Sequence, residues 1–124
     1  MTGTDVGTRS RIAARAAADK KGDDILVLDV AEIMGIVECF VITSASNSRL
    51  VRTIVDEIER QIFEQTGEKP RAVEGVRDAS WVLMDYGDLV VHVFLTETRE
   101  YYALERLWAD AATVPWADSA TTAS

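Results

Sequence analysis

The stretch WVLMDYGDLVVHVFL, residues 81–95, decides the fold class of this chain. Residues 81–86 and 89–95 are both rich in β-branched and aromatic residues, which favour strands. The pair Gly87-Asp88 between the two runs is typical of a hairpin turn. The pattern therefore predicts two strands that pair antiparallel.

On either side of this hairpin, the sequence predicts helices and further strands. Apolar residues at helical spacing indicate the helices, and short, almost uninterrupted apolar runs indicate the strands. The predicted elements are a helix over residues 8–20, strands over 25–30 and 39–43, a helix from Arg49 that stops at Gly67, a weak edge strand within 70–75 and a helix over 98–108. Together they predict an α/β fold, with a mixed β-sheet of about five strands and helices packed on it.

The length of the chain limits the number of domains. Its 124 residues have room for one domain, because domains commonly run to about 100–150 residues. The predicted elements place that domain at residues 8–110. The polar segment 1–7 predicts a disordered N-terminus, and segment 111–124, which contains Pro115 and Trp116, predicts a flexible C-terminal tail.

The charge of the chain indicates which partners it can meet. Acidic side chains outnumber basic ones 21 to 13, which gives a formal net charge of −8. A field of this sign repels nucleic-acid phosphates and argues against direct nucleic-acid binding. The same field favours encounter with a basic protein, and ribosomal proteins are one such class.

Cysteine usage and hydropathy predict a location for the protein. Cys39 is the single cysteine, so no internal disulfide can form and nothing indicates an oxidising compartment. The first seven residues are polar, and no run approaches the length of about 18 apolar residues that a membrane span needs. We therefore expect a cytoplasmic protein that is neither secreted nor inserted in a membrane.

Few residues suggest catalysis or a cofactor. A structural zinc site needs four Cys or His ligands, and the chain has one of each, Cys39 and His92. Both are most simply core residues, and a nucleophile pair would require them to meet in space. The serine-rich loop 43–48 lacks the glycines of a phosphate-binding loop. Asp85 and Asp88 could hold magnesium, but turn propensity explains them equally well, so we predict no metal and no cofactor.

The hairpin and the helix after it are rich in aromatic residues. The aromatic side chains there are Trp81, Tyr86, Tyr101, Tyr102 and Trp108. Aromatic residues anchor protein interfaces, especially beside charged groups. For any single one, burial statistics favour core packing, but the cluster as a whole indicates an interaction surface.

The same region resembles one protein family. The matching strings are WVLMDYGDLVVHVF at 81–94 and REYYALERLW at 99–108, with further matches at KK (20–21), DILVLDV (24–30), FVI (40–42), SR (48–49) and EG (74–75). In this order, over residues 8–110, they are similar to the Iojap-like ribosomal silencing factors.

This resemblance implies a regulatory factor, not an enzyme. It implies binding to the large ribosomal subunit through its protein number fourteen, a steric block to joining of the small subunit, and repression of translation. It also implies a fold similar to nucleotidyltransferases and a homodimer. Carried over by position, it implies partner contacts at Trp81, Leu83, Asp85, Tyr86, Asp88, His92, Arg99 and Tyr102, with Lys20 and Lys21 nearby.

Two alternatives stay open at this point. A metal-dependent nucleotidyltransferase-type enzyme would use Asp85 and Asp88, although the chain lacks the Gly-Ser phosphate contact and the Asp-x-Asp pair of that chemistry. A dimeric adaptor for another basic protein would share every feature of the leading hypothesis.

Overall fold

The computed structural model of the protein describes residues 5–117. Its elements are α1 (Val6–Asp19), β1 (Asp23–Asp29), α2 (Ala31–Met34), β2 (Cys39–Ala45), α3 (Ser48–Thr66), β3 (Ala72–Glu74), β4 (Trp81–Asp85), β5 (Leu89–Leu95), α4 (Thr96–Tyr102), α5 (Leu104–Leu107) and β6 (Ala112–Thr113). In this part of the chain, every helix is too short or too polar to cross a membrane.

The six strands of the described residues form one mixed sheet in the order β3-β4-β5-β2-β1-β6. The central strands β2 and β5 run parallel, with Ile42 opposite His92, and the other neighbouring pairs are antiparallel. The predicted hairpin pairs as expected, with Leu83 opposite His92. The mixed α/β class is therefore confirmed, and the weak strand near residue 73 does lie at an edge.

Both long helices begin at side-chain caps that are visible in the sequence. Asp5 accepts a hydrogen bond from the Thr8 backbone N–H at 2.8 Å, so α1 starts two residues earlier than predicted. Asn47 accepts one from the Leu50 backbone N–H, also at 2.8 Å. Each bond satisfies a helix N–H that would otherwise lack a partner. Gly67 ends α3 with a φ of 80°, a conformation that glycine adopts without steric strain.

Helices α1 and α3 pack side by side on one face of the sheet, which we call the helix-covered face. The side of α1 that faces α3 and the sheet consists of small residues, including Ala13, Ala16 and Ala17, all fully buried. Larger residues of α3 such as Ile54 and Ile58 fill the space between the helices and the strands. Complete burial of these aliphatic side chains supplies much of the hydrophobic stabilisation of the fold.

The predicted helix over residues 98–108 is wrong in one respect, because it breaks at Ala103. This residue adopts a left-handed backbone conformation with φ 48°, which separates α4 from α5. Arg99 and Glu105 form an ion pair at 3.2 Å. In a continuous helix, residues six apart lie about 120° apart around the axis and more than one turn apart along it, so they are not neighbours on the helix surface, and the break at Ala103 brings this pair together.

The end of the described chain also differs from the prediction. Residues 112–113 form the edge strand β6, which pairs with β1, and the Val114 backbone N–H donates to the Val27 carbonyl at 2.8 Å. Trp116 packs partly buried against the helix-covered core. A two-residue strand carries too little sequence pattern to be predicted. The predicted N-terminal and tail residues 1–4 and 118–124 lie outside the described part of the chain.

Candidate docking surface

The sheet face opposite α1 and α3 is only partly covered, and we call it the docking face. Side chains alternate along a strand, so Trp81, Leu83 and Asp85 of β4 lie on this face, whereas Val82 and Met84 are buried under the helices. The side chains of Trp81, Leu83 and Asp85 are partly exposed. The β4 side of the docking face therefore remains open to solvent.

Aromatic rings surround Trp81 on the docking face. Its ring centroid lies 4.8 Å from that of Phe94 and 4.9 Å from that of Tyr102. Its indole Nε1–H donates a hydrogen bond to His92 Nδ1 at 3.1 Å. Tyr102 is 51% exposed, and its neighbour Tyr101 is 81% exposed. A tryptophan held in one orientation beside exposed tyrosines has the character of an interface anchor.

Helix α5 covers the other side of the docking face. Trp108 meets the ring of Phe40 edge-on, with 5.6 Å between the centroids, and Leu104 packs against the same cluster. Leu107 points away from the sheet and is 73% exposed. Helix α5 therefore closes the β2 side of the face and adds an apolar side chain to the surface.

Burial determines the protonation state of His92. The imidazole is 5% exposed, and desolvation of the charged form lowers its pKa from 6.5 to about 4. The ring is therefore neutral at physiological pH. Because Nδ1 accepts the hydrogen bond from Trp81, the proton lies on Nε2, which is buried and has no partner among the described residues.

The two aspartates of the hairpin turn do not share a site. The Asp85 carboxylate lies on the docking face, where it accepts a hydrogen bond from the Gly87 backbone N–H at 2.8 Å. The Asp88 carboxylate turns toward α1 and accepts two bonds from Arg9 Nη2, at 2.7 and 2.9 Å. Arg9 also lies 3.5 Å from Glu68. The two carboxylates therefore do not form the magnesium pair of the enzyme alternative, and residues 5–117 contain no cluster of three or more potential metal ligands.

Two further predicted contact residues are buried in the monomer. Tyr86 lies under the helices of the helix-covered face, where desolvation raises the pKa of its phenol. The Arg99 guanidinium donates to the Asp23 carbonyl at 3.3 Å and to Ser44 Oγ at 3.1 Å, so it ties α4 to the sheet. Neither side chain is presented to a partner in this arrangement.

The remaining predicted residues lie away from the docking face. Lys20 and Lys21 are exposed at the end of α1. Hydrogen bonds from Arg60 and Gln61 lower the pKa of Glu57 in α3, and the charge of Lys20 adds a smaller effect in the same direction. Cys39 packs on the helix-covered face, where burial raises its thiol pKa, whereas His92 packs on the docking face. The sheet therefore separates Cys39 from His92, and they do not form a nucleophile pair.

The structure thus brings five of the ten predicted contact residues to one face. These are Trp81, Leu83, Asp85, His92 and Tyr102. The other five, Lys20, Lys21, Tyr86, Asp88 and Arg99, are placed elsewhere or engaged inside the monomer. The assignment of a partner-binding role to any of them stays a prediction.

Sequence reasoning missed an exposed apolar segment after the short helix α2. Ile36 is 84% exposed, and its neighbour Val37 packs against the core of the docking face. Gly35 precedes them with a φ of 82°. An apolar pair directly after a helix-ending glycine was the available signal, because loops without a packing role are usually polar.

The comparisons with known proteins agree with this fold. Residues 5–124 match the family model described as ribosomal silencing factor during starvation, RsfS. The ribosomal silencing factor of Bacillus subtilis is 43% identical over 101 residues, which are 82% of this chain and 85% of that protein. A crystal structure from Chromobacterium violaceum superimposes with a TM-score of 0.80 at 30% identity and covers 85% of this chain and 87% of that one.

A more distant relative is a mouse protein named mitochondrial assembly of ribosomal large subunit protein 1. It is 32% identical over 87 residues, which are 68% of this chain and 38% of that protein.

A mixed α/β domain with a partly exposed aromatic face around Trp81 and Tyr102 has the character of a binding protein. Within that class, the chain is a member of the ribosomal silencing factor family. Membership supports a ribosome-associated role in repressing translation, and the family name denotes a regulatory factor, not an enzyme. The likeness to nucleotidyltransferases stays a prediction.

Proposed function

We propose that this protein binds the large ribosomal subunit through its protein number fourteen and sterically blocks joining of the small subunit. Translation is repressed because the bound protein occupies a surface that the small subunit must contact. No bond is made or broken, so affinity and not turnover determines potency. The name of the mouse relative, which refers to assembly of the large ribosomal subunit, supports the choice of subunit.

The observation that carries this proposal is the open part of the docking face around Trp81. An anchored tryptophan with Leu83 and Tyr102 beside it provides the apolar centre that interfaces need. Asp85 lies on the same face and is partly exposed. A specific interface needs about 800 Å² from each partner, and a domain of this size offers such an area.

Charge supports a basic partner. The net charge of −8 raises the rate of encounter with a positively charged ribosomal protein and lowers the chance of direct contact with RNA phosphates. Of the two aspartates of the hairpin turn, Asp85 is the better placed for this contact, because Asp88 is already bound to Arg9.

Sedimentation with separated ribosomal subunits tests the proposal. The wild-type protein should be recovered with the large-subunit fraction and should reduce formation of complete ribosomes when small subunits are added. Trp81→Ala and Asp85→Lys should each weaken binding, with at least about a thirtyfold loss for Trp81→Ala, as expected of an interface hot spot. Circular dichroism should show native secondary structure for both variants.

Two variants on the opposite side of the molecule serve as matched controls. Phe63→Ala removes a 48% exposed aromatic ring of α3, and Asp56→Lys reverses an exposed acidic charge on the same helix. Both should bind like the wild type. Absence of the wild-type protein from the large-subunit fraction would reject the proposal, as would native Trp81→Ala binding at full strength.

The adaptor alternative makes a different prediction for the same protein. An adaptor would bind another basic protein and leave subunit joining unhindered, which the joining assay detects.

We also propose that the protein forms a homodimer, on the basis of the family resemblance. Light scattering coupled to size-exclusion chromatography should give about twice the 13.7 kDa mass of one chain. A mass of one chain at the concentrations used for ribosome binding would contradict this part of the proposal.

A further inference from the structure

His92 combines deep burial with an incomplete set of hydrogen bonds. Its Nδ1 accepts from the indole of Trp81, and its Nε2 has no partner among the described residues. The ring is packed edge-on against Phe40, at 4.8 Å between the centroids, and parallel to Phe94, at 6.1 Å. A buried polar group with an unsatisfied atom costs free energy relative to an apolar side chain of similar size.

Packing alone therefore does not explain a histidine at this position. Leucine or phenylalanine would fill an apolar site between Phe40 and Phe94 without the cost of desolvation. The polar atom that is used is Nδ1, and its single bond leads to Trp81 at the open side of the face. The hydrogen bond that Nδ1 accepts from Trp81 is therefore the feature that distinguishes His92 from an apolar residue at this position.

The surroundings of Trp81 indicate how this hydrogen bond affects the orientation of the indole. Phe94 and Tyr102 contact the indole with tilted rings, at 4.8 and 4.9 Å between the centroids, and aromatic contacts of this kind are compatible with more than one ring arrangement. A hydrogen bond from Nε1–H is directional and selects one orientation of the indole. Tyr102, one of the two aromatic neighbours, is itself half exposed.

We propose that His92 is a positioning residue that fixes the indole of Trp81 in the orientation required for docking. This role rests on the proposed function of the docking face. It assigns His92 an indirect part in binding: the imidazole is buried and does not itself touch the partner. Preorganisation of an anchor increases affinity because the ordering cost is met before the partner arrives.

Nitrogen NMR of the wild-type protein tests the hydrogen bond without any variant or ribosome. We expect His92 to carry its proton on Nε2 and a scalar coupling to connect Trp81 Nε1 with His92 Nδ1. The Trp81 indole proton should also exchange slowly with solvent. Protonation of Nδ1 instead, or the absence of the coupling, would overturn the proposal.

Two substitutions then separate positioning from packing. The amide oxygen of His92→Asn lies near the place of Nδ1 and can still accept from Trp81, whereas His92→Leu fills the space without an acceptor. Loss of one neutral hydrogen bond corresponds to binding to the large subunit that is about threefold to tenfold weaker. We expect this loss in His92→Leu, together with a shifted Trp81 indole resonance, and partial recovery of both in His92→Asn.

Failure of this inference and failure of the proposed function give different results. If the wild-type protein does not bind large subunits, the proposed function fails. The NMR coupling still shows whether the hydrogen bond between Trp81 and His92 forms. If the wild type binds and His92→Leu binds equally well, with the Trp81 resonance unchanged, His92 has no positioning role. Equal losses in His92→Leu and His92→Asn would assign His92 to packing alone.

Discussion

The two faces of the sheet are made from the same strands and yet differ in composition. Along β5, Leu89, Val91 and Val93 point into the helix-covered face, and Val90, His92 and Phe94 point into the docking face. Long helices cover the first group completely. The second group lies beneath aromatic rings and the short helices α4 and α5, which leave part of the face open.

The polar atoms show the same contrast. Buried polar groups generally find hydrogen-bond partners, and those without one among the described residues are His92 Nε2, Trp108 Nε1, Glu105 Oε1 and Tyr86 Oη. Only the last of them belongs to the helix-covered face. The packing of the helix-covered face therefore serves mainly stability. The docking face keeps buried polar atoms without hydrogen-bond partners, which stability alone does not require.

The largest expected difference between the faces is in core truncation. Ile58→Ala removes a fully buried side chain of α3 and should lower the free energy of unfolding by about 2–5 kcal/mol. Leu83→Ala, on the partly exposed side of β4, should cost roughly 1 kcal/mol and weaken docking instead. Urea unfolding measures the first effect and subunit sedimentation the second. Equal losses of stability in Ile58→Ala and Leu83→Ala would contradict the proposed difference between the two faces of the sheet.

The pH dependence of stability should carry the signature of His92. Its pKa is about 4 in the folded protein, against 6.5 for an unperturbed histidine, so the unfolded chain binds more protons between these values. Stability should therefore fall as the pH decreases from 6.5 to 4, by about 3 kcal/mol from this residue.

His92→Leu isolates this contribution from that of the carboxylates. The difference in unfolding free energy between the variant and the wild type should shift in favour of the variant as the pH falls through this window. A difference that stays constant from pH 7 to pH 4 would show that the imidazole is not buried as described.

Removal of Asp88 should affect stability more than docking. Asp88→Ala removes the two hydrogen bonds that the buried Arg9 donates to this carboxylate, which should cost about 1–3 kcal/mol, reduced because the Asp88 side chain is 37% exposed. Asp85→Ala, at the other end of the same turn, is the matched control and should cost less. If Asp88→Ala kept its stability but lost binding to the large subunit, the Asp88 carboxylate would have to contact the partner directly.

The smallest expected effect concerns Ile36. Ile36→Ser should change stability by no more than about 0.5 kcal/mol, because the side chain is 84% exposed. Binding to the large subunit should weaken by a few fold, because the neighbouring Val37 places this loop beside the docking face. Val76→Ser, at a 40% exposed position in a loop beside α3, is the control and should leave binding unchanged.

Much of the fold could be predicted because its signals are local. The hairpin of β4 and β5, the caps of α3 and the edge position of β3 all follow from spacing and residue type within a few positions. The break at Ala103 carries no glycine or proline signal in the sequence, and the contacts of Arg99 with Asp23 and Ser44 that accompany it join distant parts of the chain.

The candidate site was predictable as a region and not as a surface. Local sequence predicts that Trp81 and Tyr86 belong to a strand and its turn, but which of them is enclosed depends on where the helices pack on the sheet. The partner of Asp88 is Arg9, 79 residues away. No periodicity links positions so far apart.

The amino-acid sequence by itself determined the α/β class, most of the strands, the long helices and the family, because these depend on short-range patterns of apolar and turn residues. Only the tertiary structure decided which aromatic and acidic side chains share one face and which are enclosed. The physical reason is that exposure depends on elements brought together from distant parts of the chain, and pairing across the sheet sets that arrangement.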